Sequence, residues 1–135
     1  MIGWTLYSMS MIFFMGMSLT YLLRNAFMPY HSEAVNKEWS EVEPRMKLLL
    51  LALMKTIGIS WFFWVVMNVF IVFCFYNSTI HFSYIVFYVV TFILSSLMPV
   101  AIAMKLRMMT GAKTPVIYGL ASTFFGVAGI LLIFK

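Results

Sequence analysis

Residues 48–75 have the sequence LLLLALMKTIGISWFFWVVMNVFIVFCF, which is apolar throughout apart from Lys55 and a few uncharged polar side chains. As a helix these residues would extend about 42 Å, which exceeds the hydrocarbon core of a bilayer, about 30 Å thick. The stretch therefore predicts a transmembrane helix that tilts or protrudes from the bilayer.

The composition of the whole chain agrees with a membrane location. Of its 135 residues, 64% are hydrophobic and 10% are charged, whereas soluble domains contain about 25% charged residues. The mean hydropathy of +1.00 excludes a water-soluble globule. The length suits one compact unit rather than several domains.

Three further apolar runs predict three more spanning helices. The segment between the second and third runs is short, so it predicts a hairpin of antiparallel helices. We expect an all-α fold, namely a four-transmembrane-helix antiparallel bundle that forms one integral membrane domain over 1–135. The predicted helices cover 2–23, 48–75, 83–104 and 116–134, joined by a connection at 24–47, a turn at 76–82 and a loop at 105–115.

Basic residues predict the orientation of this bundle. Seven of the nine Lys and Arg side chains lie in the connection and the loop, and none lies before Arg24 or in the 76–82 turn. Because Lys and Arg concentrate in cytoplasmic loops, both termini should lie on the non-cytoplasmic side. The seven are Arg24, Lys37, Arg45, Lys47, Lys105, Arg107 and Lys113.

The connection at 24–47 contains helix-boundary signals. Ser32 precedes an acid and predicts an N-cap, and Ser40 with Glu43 has capping-box spacing. Pro29 predicts an interruption of the first helix or its extension, and Pro44 suits the first turn of a helix.

One face of the fourth predicted helix carries only small side chains. Their spacings of three, four and three residues place them on the same face. Small residues allow close approach of a second helix, so this face predicts either packing within the bundle or a seam between copies. Its members are Gly119, Ser122, Gly126 and Gly129.

Polar residues at four-residue spacing predict a polar seam between the second and third helices. Pro99 has no N–H for the carbonyl of Ser95, and a buried Asn68 amide needs a partner in hydrocarbon. Counted from the outer turn, Asn68 and Thr91 lie at similar depth, and the same count places Trp64 near Ser95 and Ser60 near Pro99. We predict interhelical hydrogen bonding or a small ligand pocket, from Ser60, Trp64, Asn68, Thr91, Ser95 and Pro99.

Lys55 is the one ionisable side chain well inside a predicted span. It lies about two turns from the cytoplasmic end, so it can extend toward lipid phosphates. Together with Arg24 it is a candidate for binding a headgroup or another anion.

Several classes of function are excluded by what the spans lack. Cys74 is the only cysteine, which excludes an internal disulfide and a cysteine-only metal site. No acid lies in a span, although small proton-coupled drug exporters depend on a membrane-embedded glutamate. We predict no catalytic motif, no metal, no cofactor and no nucleic-acid partner.

A short pattern in the connection and the second helix resembles other proteins. It comprises AFMPYH at 26–31, Trp39, Pro44 followed by Arg45, LLALMK at 50–55, and Gly58. This pattern, over residues 24–60, resembles small bacterial four-helix membrane proteins that are similar to the DoxX-like group in general build. The resemblance implies a bacterial inner-membrane protein without an assigned reaction.

Three functions stay open at this point. The first is a noncatalytic accessory or interaction subunit that binds a lipid or hydrophobic ligand between the second and third helices. Its expected partners are the lipid bilayer and either further copies or a larger membrane complex. The second is a small-solute transporter or channel that uses the same seam. The third is an interfacial enzyme that acts on a lipid-like substrate, which requires His31, Glu33 and Lys55 to converge.

Overall fold

The structure is a computed structural model that describes residues 1–135. It is all-helical and contains no β-strand. The helices are α1 (Ile2–Leu23), α2 (Pro29–Val35), α3 (Pro44–Tyr76), α4 (Phe82–Thr110) and α5 (Val116–Ile133), with a 3-10 turn at Trp39–Glu41.

Four of the helices, α1, α3, α4 and α5, are long and apolar enough to cross a membrane. This confirms the predicted helical class and the four candidate spans. The short helix α2 lies in the connection between α1 and α3.

Two of the long helices extend beyond their predicted bounds. α3 begins at Pro44 rather than at 48, and α4 continues to Thr110 rather than ending at 104. Hydropathy marks where the apolar run ends, whereas a helix continues until its backbone conformation changes. Pro44 suits a first turn, and Gly111 ends α4 in the left-handed conformation with φ of 75°.

The predicted caps in the connection were wrong. Met28, not Ser32, precedes the first residue of α2, and Glu43 precedes α3 without a side-chain cap. The capping box instead forms around the 3-10 turn, where the Glu38 backbone N–H donates to Oε2 of Glu41 at 2.8 Å. The chain makes this extra turn before α3 begins, so the Ser40 spacing does not coincide with a helix start.

Helix α1 is central to the packing. It packs most extensively against α5 and α3, and α4 packs against α5. Hydrophobic side chains from all four long helices meet between them. The buried core comprises Tyr7, Met11, Phe14, Val65, Val72, Tyr88, Phe92 and Ile130.

Glycines bring α1 and α5 close together near the chain termini. A Cβ atom at Gly129 would lie 2.6 Å from the backbone nitrogen of Tyr7, and one at Gly3 would lie 2.9 Å from that of Ile133. Since real Cβ contacts are longer, only glycine permits this approach. The two backbones therefore touch along this part of the bundle.

Candidate functional site

A cavity of about 370 Å³ lies among the four long helices, in the half of the bundle nearest α2. Its lining residues come from the C-terminal halves of α1 and α4 and the N-terminal halves of α3 and α5. Side chains of α2 and of the loop before α5 also line it. The wall contains Phe13, Phe14, Met17, Ser18, Tyr21, Tyr30, His31, Ile57, Gly58, Trp61, Pro99, Val100, Ile102, Ala103, Leu106, Thr114, Pro115, Val116, Tyr118, Gly119 and Ser122.

The path of α1 explains why space remains here. Toward its C-terminus α1 approaches α3, where the Ser18 hydroxyl donates to the Gly58 carbonyl at 2.7 Å. A Cβ at Gly58 would lie 3.0 Å from the Ser18 carbonyl oxygen, so this approach also needs glycine. On the α5 side, Phe13 and Tyr118 stack with ring centroids 5.6 Å apart and close the outer edge. The cavity occupies the space behind that aromatic pair.

Two polar side chains in the wall are already bonded to the protein. The Ser18 hydroxyl donates to Gly58, and the Thr114 hydroxyl donates to the Ala103 carbonyl at 3.0 Å. These hydrogen bonds join neighbouring segments of the wall. They leave neither hydroxyl proton free for a ligand.

At the α2 end, two tyrosines and a histidine meet. The Tyr21 and Tyr30 hydroxyls hydrogen-bond to each other, and the His31 ring lies against both tyrosine rings. One hydrogen bond between two hydroxyls uses one proton, so the other hydroxyl retains a free donor. Glu33 anchors α2 to the opposite loop because its carboxylate accepts the Lys113 backbone N–H at 2.7 Å.

Burial favours the uncharged form of both titratable groups that α2 contributes to the cavity wall. Burial lowers the pKa of His31, and the nearby Arg24 guanidinium lowers it further. Burial also raises the pKa of Tyr30, with a further increase from its hydrogen bond with Tyr21. Both side chains are therefore uncharged at neutral pH.

Ser122 differs from the other polar side chains of the wall. It is 2% exposed, and its hydroxyl oxygen is buried without a hydrogen-bond partner. Its backbone carbonyl is occupied, since it accepts the Ser10 hydroxyl at 2.7 Å. Unpaired buried hydroxyls are rare because leaving one unpaired costs about 1 to 3 kcal/mol.

Hydrogen bonds form part of the predicted polar seam, in the halves of α3 and α4 that are joined by the 77–81 turn. The Trp64 indole donates to the Ser95 hydroxyl at 3.1 Å, as their predicted depths require. The Tyr88 hydroxyl donates to Oδ1 of Asn68 at 2.8 Å, and the Asn68 amide donates to the Trp64 carbonyl at 2.7 Å. Asn68 thus pairs with Tyr88, a residue that no sequence pattern marks.

The remaining seam residues do not join this network. Thr91 donates within its own helix, to the Phe87 and Tyr88 carbonyls, and Ser60 is exposed. The gap beside Trp64 and Ser95 has a volume of only about 40 Å³. Of the predicted ligand-binding residues, Pro99 alone lines the large cavity.

Lys55 is engaged by the end of α1. Its ammonium group donates to the carbonyls of Leu22 and Arg24, the latter at 2.9 Å, and to Oδ1 of Asn25 at 3.4 Å. These carbonyls have no intrahelical partner at a helix C-terminus, and a cation stabilises that end of the helix dipole. Lys55 therefore caps α1 rather than extending toward lipid phosphates.

Arg24, the second predicted anion ligand, is exposed beside this cap. Its guanidinium contacts the Met28 sulfur at 3.4 Å. It does not share an anion site with the Lys55 ammonium, whose hydrogen bonds go to the protein.

The small-residue face of the fourth spanning helix points into the bundle. Cβ atoms added at Gly126 and Gly129 would lie 2.8 Å from the Ser10 hydroxyl and 2.6 Å from the Tyr7 backbone nitrogen. At the other end of this face, Gly119 lies against Val100. Helices of the same chain thus occupy the face, which leaves it unavailable as a seam between copies.

The three residues of the enzyme hypothesis bind to separate parts of the protein. Lys55 bonds to the end of α1, Glu33 bonds to the backbone of Lys113, and His31 packs among aromatic rings. No group of three or more His, Cys, Asp or Glu side chains lies close enough together to hold a metal ion.

Sequence reasoning missed Tyr21, Tyr30, Thr114 and Ala103 as cavity residues. One signal for the first two is present in the sequence. Pro29 begins α2 a few residues after α1 ends, and Tyr30 beside it hydrogen-bonds to Tyr21 near the end of α1. No local pattern marks Ala103 or Thr114, since their position depends on how α4 and α5 cross.

Comparison with protein-family models, with curated proteins and with solved structures finds no match to this chain.

Proposed function

We propose that this chain is a noncatalytic membrane protein that binds a hydrophobic molecule from the bilayer in the cavity beside α2. The observation that carries this proposal is the cavity itself, about 370 Å³ in volume and lined mainly by apolar side chains. Small-molecule sites have volumes of about 300 to 1,000 Å³, mostly apolar walls and a few polar groups that orient the ligand. The cavity has all three properties.

A route from the bilayer is part of the proposal. Hydrogen bonds and aromatic contacts join α3 to α4 between Trp64 and Phe75 on one side and Tyr88 and Ser95 on the other. Nearer to α2, the exposed side chains of Ile57 and Ile102 flank the cavity. We infer that a ligand enters sideways between α3 and α4 at this level.

The topology completes the proposal. We propose an antiparallel bundle with both termini on the non-cytoplasmic side, which the excess of Lys and Arg in the 24–47 and 105–115 segments supports. The cavity then lies in the cytoplasmic half of the membrane, covered by α2 at the interface.

Photolabelling of the purified protein in lipid vesicles tests the proposal. The probe is a sixteen-carbon hydrocarbon that carries a diazirine and an alkyne, and mass spectrometry locates the labelled residues. We expect labels on cavity residues of α1 and α4, reduced in Ala103→Phe because the larger side chain fills the cavity. Ala101→Phe is the matched control, since Ala101 is exposed on the same helix.

Thermal unfolding shows whether both variants are folded. The proposal is contradicted if the wild type is labelled only on exposed surfaces, or if both variants retain the cavity labels equally. Loss of the cavity labels in both variants contradicts it as well, because Ala101 does not line the cavity.

A further inference from the structure

We propose that the ligand is an uncharged amphiphile whose polar end carries a hydroxyl or carbonyl oxygen, and that the Ser122 hydroxyl donates a hydrogen bond to this oxygen. This inference rests on the proposed function, and it adds the chemical class of the ligand and the residue that recognises it. Three observations support it: the absence of charge in the cavity wall, the unpartnered hydroxyl and the size of the cavity.

No Lys, Arg, Asp or Glu lines the cavity. The titratable groups in its wall are His31 and three tyrosines, and burial favours the uncharged forms of His31 and Tyr30. Lys55 and Glu33 are hydrogen-bonded elsewhere in the protein, and Arg24, whose guanidinium acts on His31, contacts the Met28 sulfur and does not line the cavity. A charged headgroup would lose its hydration here without gaining a counterion, which is strongly unfavourable. The wall therefore selects against a phosphate or an ammonium group.

Ser122 offers a fully buried hydroxyl proton, whereas the free donor of the Tyr21–Tyr30 pair is only partly buried. Other buried serines donate to carbonyls, as Ser10 does to Ser122, Ser18 to Gly58 and Ser96 to Phe92. Only the Ser122 hydroxyl is buried without a partner. A serine hydroxyl has three staggered positions, so rotation about the Cα–Cβ bond turns it toward an acceptor in the cavity. A ligand oxygen satisfies a group that the protein leaves unpaired.

The size of the cavity limits the ligand further. Its volume of about 370 Å³ lies near the lower end of the range for small-molecule sites. It suits a single chain or ring rather than a two-chain phospholipid. The apolar wall between Ser122 and the Tyr21–Tyr30 pair accommodates the body of such a molecule.

Three photoreactive probes of equal chain length test this inference: a fatty alcohol, the corresponding hydrocarbon and the corresponding alkyl sulfonate. Each is titrated against the wild type, Ser122→Ala and Ser96→Ala in vesicles, and labelling of the cavity residues is measured. Ser96 is the matched control because it is equally buried but donates to its own helix.

For the alcohol, we expect Ser122→Ala to require an about 2- to 10-fold higher concentration for half-maximal labelling, the effect of one neutral hydrogen bond. Ser96→Ala should label like the wild type, and the hydrocarbon should label wild type and Ser122→Ala equally. The sulfonate should label the cavity at least 10-fold less than the alcohol.

Two results would overturn the inference and leave the proposed function standing. One is equal half-maximal labelling of the wild type and Ser122→Ala by the alcohol, and the other is cavity labelling by the sulfonate as strong as that by the alcohol. If neither the hydrocarbon nor the alcohol labels the wild-type cavity, the proposed function fails as well. The hydrocarbon thus distinguishes the two failures.

Discussion

The two halves of this bundle differ in how closely their backbones approach. In the half near the chain termini, called the packed half, residues 3–10 of α1 lie directly on residues 122–133 of α5. In the half near α2, called the cavity half, the Ser18 hydroxyl of α1 donates to Gly58 of α3, and a space of about 370 Å³ remains among the helices. The same four helices thus form a close-packed region and a cavity.

The side chains on α5 account for this difference. In the packed half, Gly126 and Gly129 let the backbone of α1 approach, which is how small residues replace the missing hydrophobic drive between helices in lipid. In the cavity half, Tyr118 meets Phe13 through stacked rings. Large side chains at the edge hold the helices apart, and the space inside stays unfilled.

The largest effect on this comparison is expected from Gly129→Ala. The new Cβ would lie 2.6 Å from the Tyr7 backbone nitrogen, so α1 and α5 must separate. We expect the free energy of unfolding to fall by about 2 to 3 kcal/mol. Reversible unfolding in mixed micelles of mild detergent and dodecyl sulfate measures it.

Gly16→Ala is the control for this substitution. A Cβ at Gly16 meets nothing within 4 Å, so the helix should gain about 0.5 to 1 kcal/mol from the better helix former. Equal stability of Gly129→Ala and Gly16→Ala would show that the close approach does not stabilise the packed half.

An intermediate effect is expected from Tyr88→Phe, which removes a hydrogen bond between α3 and α4. Asn68 is buried, and its Oδ1 atom would lose the Tyr88 hydroxyl. We expect a loss of about 1 kcal/mol, since hydrogen bonds between membrane helices contribute about 0.6 to 2 kcal/mol. The same micelle titration measures this loss.

Tyr84→Phe is the control, because the Tyr84 side chain is 60% exposed on the same helix. A Tyr88→Phe variant as stable as the Tyr84→Phe control would mean that the polar seam contributes no stability. The hydrogen-bonded seam and the cavity would then not differ in their contribution to the free energy of unfolding.

The smallest effect concerns pH and is confined to the cavity half. The pKa of His31 is lowered from its usual value of 6.5 by burial and by Arg24, so the unfolded chain takes up the proton at a higher pH than the folded protein. Stability should therefore fall as the pH falls below about 6.5, down to the lowered pKa of His31, and then level off. Thermal unfolding between pH 7.5 and about 5 measures this slope.

In His31→Gln the slope should decrease, because the substituted side chain does not titrate. His81→Gln, at an exposed position outside the cavity, should keep the wild-type slope. If His31→Gln and the wild type lose stability in parallel, the cavity wall does not exclude the protonated imidazole.

Much of the fold could be predicted from local properties. The four apolar runs predict four helices because the free energy of placing a segment in hydrocarbon depends on the residues of that segment alone. The bounds of α3 and α4 were less accurate, since Pro44 and Gly111 set the helix ends and lie outside the apolar runs. Counting residues from the turn also predicts that Trp64 and Ser95 lie close together, because the same turn joins the two helices.

The candidate site was predictable only in part. Pro99 was singled out for its missing N–H and does line the cavity, and Ser122 was singled out as a small packing residue. The role of Lys55 was not predictable, because its partners Leu22 and Arg24 end another helix more than 30 positions away. Asn68 was expected to be paired, but the sequence does not show that its partner is Tyr88.

The sequence by itself determined the class of the protein, its four apolar helices and the charged segments that support its orientation, because each follows from a short stretch of chain. Only the tertiary structure decided that α1 lies directly against α5 in one half, whereas a cavity remains among the helices in the other. The sequence alone shows which helix faces carry apolar or small side chains, whereas a cavity exists only where several helices cross and diverge. The hydroxyl of Ser122 therefore became a candidate ligand group only once its surroundings were known.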